Sequence, residues 1–128
     1  MKKQIVSAHA PSAIGPYSQA IALGNMIFVS GQLPLDPTTG HLETGIIDQT
    51  RRSLKNIKAI LEQENCGMED IVKTTVFLSD LNDFSAMNEV YSEFFSAPYP
   101  ARAAVQVAKL PKDALVEIEA IAARVFNG

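Results

Sequence analysis

From Leu115 to Phe126 the residues alternate, yet both sides of the resulting strand carry apolar groups. Val116, Ile118, Ala120 and Ala122 share one side, and Leu115, Ile121, Ala123 and Val125 share the other. A strand of this composition needs cover on both faces. The rest of the chain supplies only two substantial helices, enough for one face of a sheet, so the second face needs another cover. The simplest is the same sheet from another copy of the chain, giving a closed homo-oligomer whose interface resembles a core.

Periodicity orders the remaining segments. Met26 to Ser30 is a β-prone run, and Gly24-Asn25 suits a hairpin turn from a preceding strand near residues 18 to 23. Asp36-Pro37-Thr38-Thr39-Gly40 reads as a loop. Ile47, Thr50, Leu54, Ile57 and Leu61 recur at helical spacing and predict a helix that stops near Asn65 to Gly67. Ile71 to Leu78 is short and rich in Val, Ile, Thr and Phe, as expected of a strand buried on both faces or nearly so. Asp80 is placed to cap a second helix with the face Phe84, Met87, Tyr91 and Phe94, which Pro98 and Pro100 bar from continuing. Strands over Arg102 to Lys109 and Leu115 to Phe126, joined around Leu110-Pro111-Lys112-Asp113, are expected to form a hairpin. The expected order is β, β, α, β, α, β, β.

Composition narrows the function. A chain of 128 residues suits one domain, which should bury about two-thirds of its unfolded surface. Its net charge is −3, and its eleven Lys and Arg residues are scattered from Lys2 to Arg124, so the concentrated basic face that nucleic acid requires is not expected. The single cysteine, Cys66, excludes an internal disulfide and fits a reducing compartment; it reads as a small buried hydrophobe near a helix end or as a reactive thiol. The N-terminal run lacks the apolar core of a signal peptide, and no stretch approaches the ~20 apolar residues of a membrane span, so a cytoplasmic protein is expected. His9 and His41 lie far apart in expected loops, with no metal-ligand spacing around them. There is no phosphate-binding glycine loop, nucleophile elbow or dinucleotide fingerprint, so chemistry without metal, cofactor or covalent nucleophile is expected.

Arg102 begins a strand after Pro98-Tyr-Pro-Ala and shares a side with Ala104, Gln106 and Ala108, whose small members leave space before the guanidinium. A planar, permanently charged fork beside a vacancy suits bidentate carboxylate binding; the alternative is a strand-end arginine, solvated or paired with a nearby acid. Glu117 and Glu119 share one side of the strand expected to adjoin it. A carboxylate among apolar residues near Arg102 can orient a water or shuttle a proton, or else both face solvent or bridge to cations. Tyr17 projects from the loop Ile14-Gly15-Pro16-Tyr17-Ser18, where its phenol can cover a small ligand. Ser30 and Gly31 end a strand with a hydroxyl and an unhindered amide, which equally serve an ordinary turn. Phe84 and Asn88 lie four apart on one helical face, with Phe84 also readable as core.

Together these segments resemble a known family. Pro100-Ala101-Arg102-Ala103-Ala104-Val105, Lys109-Leu110-Pro111 and Val116-Glu117-Ile118-Glu119-Ala120 are similar to the C-terminal signature of the RidA (YjgF-type) family. The likeness extends through Ala13-Ile14-Gly15-Pro16-Tyr17-Ser18-Gln19-Ala20, Phe28-Val29-Ser30-Gly31-Gln32 and Met87-Asn88-Glu89-Val90-Tyr91, nearly the whole chain. The resemblance implies an α+β, chorismate-mutase-like (YjgF-like) single domain, a mixed β-sheet with two main helices on one face, assembled as a homotrimer with clefts between subunits. It also implies hydrolytic deamination of reactive 2-imino or 2-enamino acids, such as 2-iminobutanoate and 2-iminopropanoate, to 2-oxo acids and ammonia.

On that resemblance Arg102 binds the substrate carboxylate and Glu117 positions the attacking water, while Tyr17, Ser30, Gly31, Phe84 and Asn88 map onto cleft positions. Several members carry cysteine two residues after the arginine. Here that residue is Ala104, so no thiol can act at this point and an altered cleft shape is expected. Imines of this kind arise from pyridoxal-phosphate dehydratases, which makes damage pre-emption the implied role. A carboxylate-sensing or partner-binding trimer would use the same Arg102, and ribonuclease or translation-inhibitor activity ranks last for want of a basic patch and a histidine pair.

Overall fold

The computed structural model describes residues 1–124. In chain order they form β1 (Lys3–Ile5), β2 (Ala20–Leu23), β3 (Met26–Gln32), α1 (Gly45–Glu62), β4 (Ile71–Leu78), α2 (Phe84–Ser92), β5 (Ala101–Gln106) and β6 (Val116–Ala123), with single 3-10 turns at Met68–Asp70, Leu81–Asp83 and Pro111–Asp113. Gly24, at φ 59°, makes the tight reversal that pairs Leu23 with Met26, as the dipeptide predicts. The short strand β1, which pairs with β2, has no counterpart in the expected order; three residues are too few for periodicity to register.

α1 buries Thr50, Leu54, Ile57, Ile60 and Leu61 as its spacing predicts, but Ile47 is 48% exposed. Ile46 takes its place against the core, because it stands four and seven residues before Thr50 and Ser53 and so continues their stripe. Asp80 caps one element earlier than expected. Its Oδ1 accepts from the Asn82 amide at 2.9 Å, closing the 3-10 turn, and α2 proper starts at Phe84.

The sheet order is β1-β2-β3-β6-β4-β5, antiparallel throughout except for the parallel pair β4/β5. The expected hairpin of the last two strands is therefore not formed. β4, α2 and β5 make a crossover unit that lays β5 parallel at the sheet edge, as a helical connection allows. Residues 107–115 then carry the chain past the end of β4, with the Val107 amide donating to the Leu78 carbonyl and the Ser79 amide to that of Leu115. β6 inserts centrally, between β3 and β4. β5 ends at Gln106, short of Lys109, and Val125 and Phe126 lie outside the described residues.

Both helices cover one face, as expected: α1 packs on β6 and β3, and α2 packs on α1. Between them and the sheet lie Ile27, Leu54, Ile57, Val76, Leu78, Met87, Val116 and Ile118, all fully buried. On β6, Val116, Ile118, Ala120 and Ala122 face this core, and Ile121 and Ala123 face the other way. That second face carries Phe28, Phe77, Val105 and Ile121, and Phe28 and Val105 are each 43% exposed. No helix among the described residues is long and apolar enough to cross a membrane.

Candidate functional site

Arg102 pairs with Thr74 in the β4/β5 ladder and so projects on the helix-covered side of the sheet, at its edge. Its guanidinium carbon lies 4.7 Å from the centre of the Tyr91 ring and 5.3 Å from that of Phe84, over both. Nη1 donates to the Asn88 Oδ1 at 2.7 Å. Two aromatic faces and an amide oxygen thus hold an exposed cation in place through cation–π attraction and a hydrogen bond. Arg102 lines a hollow of about 470 Å³ with Asn88, Tyr91, Ser92, Tyr99 and Pro100. Ala104, two residues along, is partly buried and packs against the core.

Glu117 lies on the other side of the sheet. It pairs with Phe77 across β6/β4 and lines a separate hollow of about 590 Å³ together with Tyr17, Ser30, Gly31, Leu35 and Lys112. Burial pushes its carboxyl above the ordinary carboxylate range, and Glu119 pushes it further. Gly31 sits where the register of β3 against β6 shifts, and a Cβ there would stand 2.8 Å from the Glu117 Oε2. A side chain at this position would therefore displace the Glu117 carboxyl, so the close approach, and not backbone freedom, is what glycine serves here.

The Ser30 hydroxyl donates to the Ser18 carbonyl at 2.6 Å, so its proton is committed and its oxygen is left to accept. Tyr17 follows the turn at Gly15 (φ 124°) and is exposed. Gln19 anchors this wall. Its Oε1 accepts from the Ser7 amide at 2.7 Å, and its Nε2 donates to the carbonyls of Ser7 (3.1 Å), Ala10 (3.3 Å) and Pro11 (2.7 Å).

The sequence-derived residues therefore fall into two groups. Arg102, Phe84 and Asn88 meet on one face at the edge, while Tyr17, Ser30, Gly31 and Glu117 meet on the other. Within one chain Glu117 does not approach Arg102 as a neighbouring strand would bring it, because β4 stands between β5 and β6 and the two side chains leave opposite faces. The sequence places Tyr91 on the packing face of the second helix but not in the site, and it does not single out Gln19. Tyr91 lies three residues after Asn88 and seven after Phe84, a spacing that marks it on the same helical face. Gln19 carries no such signal, since its partners come from loop residues 7 to 11.

Four likenesses bear on this arrangement. The sequence profile of the family described as Endoribonuclease L-PSP matches residues 7–124. A RutC family protein of Pyrococcus abyssi is 58% identical over 122 residues, 94% of this chain and 96% of that one. The 2-iminobutanoate/2-iminopropanoate deaminase of Escherichia coli is 53% identical over 127 residues, 97% of this chain and 99% of that one. The crystal structure of Escherichia coli TdcF with bound serine matches with a TM-score of 0.93 at 52% identity, over 96% of this chain and 99% of the TdcF chain.

Proposed function

Because the chain belongs to the endoribonuclease L-PSP family, which is the YjgF/RidA family, we propose that it hydrolyses 2-imino acids such as 2-iminobutanoate and 2-iminopropanoate to 2-oxo acids and ammonia. The observation that carries this reading is the separation of two complementary half-sites. A braced guanidinium opens on one face of the sheet, and a carboxyl held above its ordinary range opens on the other. A closed homotrimer, in which the exposed apolar faces cover one another, brings the Arg102 half of one copy to the Glu117 half of the next and makes a cleft between them.

In that cleft Arg102 grips the substrate carboxylate through paired N–H donors and fixes the electrophilic C2. The carboxylate form of Glu117 takes a proton from water as its oxygen bonds to C2, and the C=N electron pair moves to nitrogen. The carbinolamine then loses its nitrogen as ammonia once that nitrogen is protonated, and the hydroxyl proton leaves as the C=O bond forms. The iminium carbon is already activated, so each step needs only placed donors and acceptors. The serine in TdcF has the same frame, a carboxylate on a nitrogen-bearing carbon, which supports a ligand of this class. Such imines leave pyridoxal-phosphate dehydratases, and their removal limits damage to other enzymes. The family description names RNA cleavage, but here His9 and His41 stand in separate loops and neither hollow has a histidine in its lining.

The test generates the imine in place from threonine with a threonine dehydratase and follows 2-oxobutanoate release. The protein is expected to accelerate release, and Arg102→Ala to lower kcat/KM by about 10²-fold. No acceleration by the unaltered protein overturns the reading.

A further inference from the structure

Arg102 stands at an exposed sheet edge, where an arginine side chain ordinarily samples many rotamers. Here the head group lies over two rings, and the shorter of the two contacts is with Tyr91, at 4.7 Å against 5.3 Å for Phe84. That ring is itself held. The Tyr91 and Thr74 hydroxyls are 2.7 Å apart, both residues are buried (5% and 0% exposed), and the Phe95 ring packs at 4.5 Å. A phenylalanine would fill the same volume in this core, so the hydroxyl has no packing role; its partner is Thr74. Thr74 is also the residue that pairs with Arg102 in the β4/β5 ladder. The strand that positions the arginine backbone therefore also carries the hydroxyl that holds the ring under its head group.

We infer that Thr74 and Tyr91 are positioning residues for the carboxylate grip, a hydrogen-bonded pair that fixes the ring on which the Arg102 guanidinium rests. The three residues come from β4, α2 and β5, the consecutive parts of the crossover unit, so the fold closes a triangle of contacts at its edge. Asn88 fixes the rotation of the guanidinium within its plane, and the remaining N–H groups are left for the ligand. This inference deepens the reading of the Arg102 half-site and rests on it.

The test uses Tyr91→Phe, Thr74→Val and their combination, in the whole protein. Since the grip acts alike on substrate and transition state, each single change is expected to raise KM for the imine about 5- to 20-fold with kcat nearly unchanged. The double change is expected to add little to either, because both remove one interaction. Thr74→Ser, which restores the hydroxyl, is expected to bring KM back toward the unaltered value. A second readout does not depend on turnover: the Arg102 Nε–H resonance is expected to be displaced by ring currents in the unaltered protein and to move toward that of solvated arginine in Tyr91→Phe and Thr74→Val. If KM stays unchanged in both variants while Arg102→Ala raises it, or if the resonance does not move, the positioning role is wrong. If the unaltered protein hydrolyses no imine, the functional reading fails, and the resonance alone decides whether the pair positions the arginine.

Discussion

At the scale of single residues, Glu117 combines two demands that conflict. Burial and the nearby Glu119 raise its folded pKa above the unfolded value, so its contribution to stability is fully present below the unfolded pKa and is lost as pH rises through the folded one. In the proposed reaction the same shift favours Glu117 as proton acceptor, since a higher pKa makes a stronger base. Glu117→Gln is therefore expected to slow imine hydrolysis by about 10²-fold or more. It should also raise the melting temperature at pH 7, an advantage that vanishes toward the acid range where Glu117 is protonated in both states; paired activity and thermal-melting series against pH check this. For the unaltered enzyme the rate should fall as pH drops through a value above the ordinary glutamate range. Residue types were legible in the sequence to this extent: Arg102 and Asn88 line one hollow, and Glu117 and Gly31 line the other. The committed proton of Ser30 and the ring of Tyr91 under the guanidinium were not, since both depend on where another element passes.

At the scale of elements, hydrophobic period located strands and helices but could not say which strands pair. The last two strands have the lengths and turn residues of a hairpin, yet the helix between β4 and β5 makes that pair parallel and leaves the centre to β6. Register then decides the site, because it puts Arg102 in the row of Thr74 and Glu117 in the row of Phe77. Loop placement is governed in the same non-local way. Gln19 alone ties down four backbone groups of residues 7 to 11 beside the second hollow. Gln19→Leu leaves those groups without their partner and is expected to cost about 1–3 kcal/mol of stability. Amide exchange at Ser7 should quicken with it, and hydrogen-exchange mass spectrometry would detect the change; unchanged protection would show that the loop is held by other means.

At the scale of the whole molecule, the two-sided composition of β6 asks for cover by a second copy, and the exposed Phe28 and Val105 lie on the face concerned. Phe28→Glu places a charge on that face and is expected to give a species smaller than the proposed trimer by light scattering, with imine hydrolysis lost, because desolvating an unpaired carboxylate opposes assembly. On the proposed reading, the opposite placement of Arg102 and Glu117 makes assembly part of the chemistry, since one chain does not bring the two together. Mixing two inactive variants tests this most directly. When Arg102→Ala and Glu117→Gln chains are unfolded together in equal amounts and refolded, about three quarters of the trimers contain both, each with one cleft that has its arginine and its glutamate intact. The account predicts recovery to about a quarter of the unaltered rate. A mixture as inactive as its two components would contradict it.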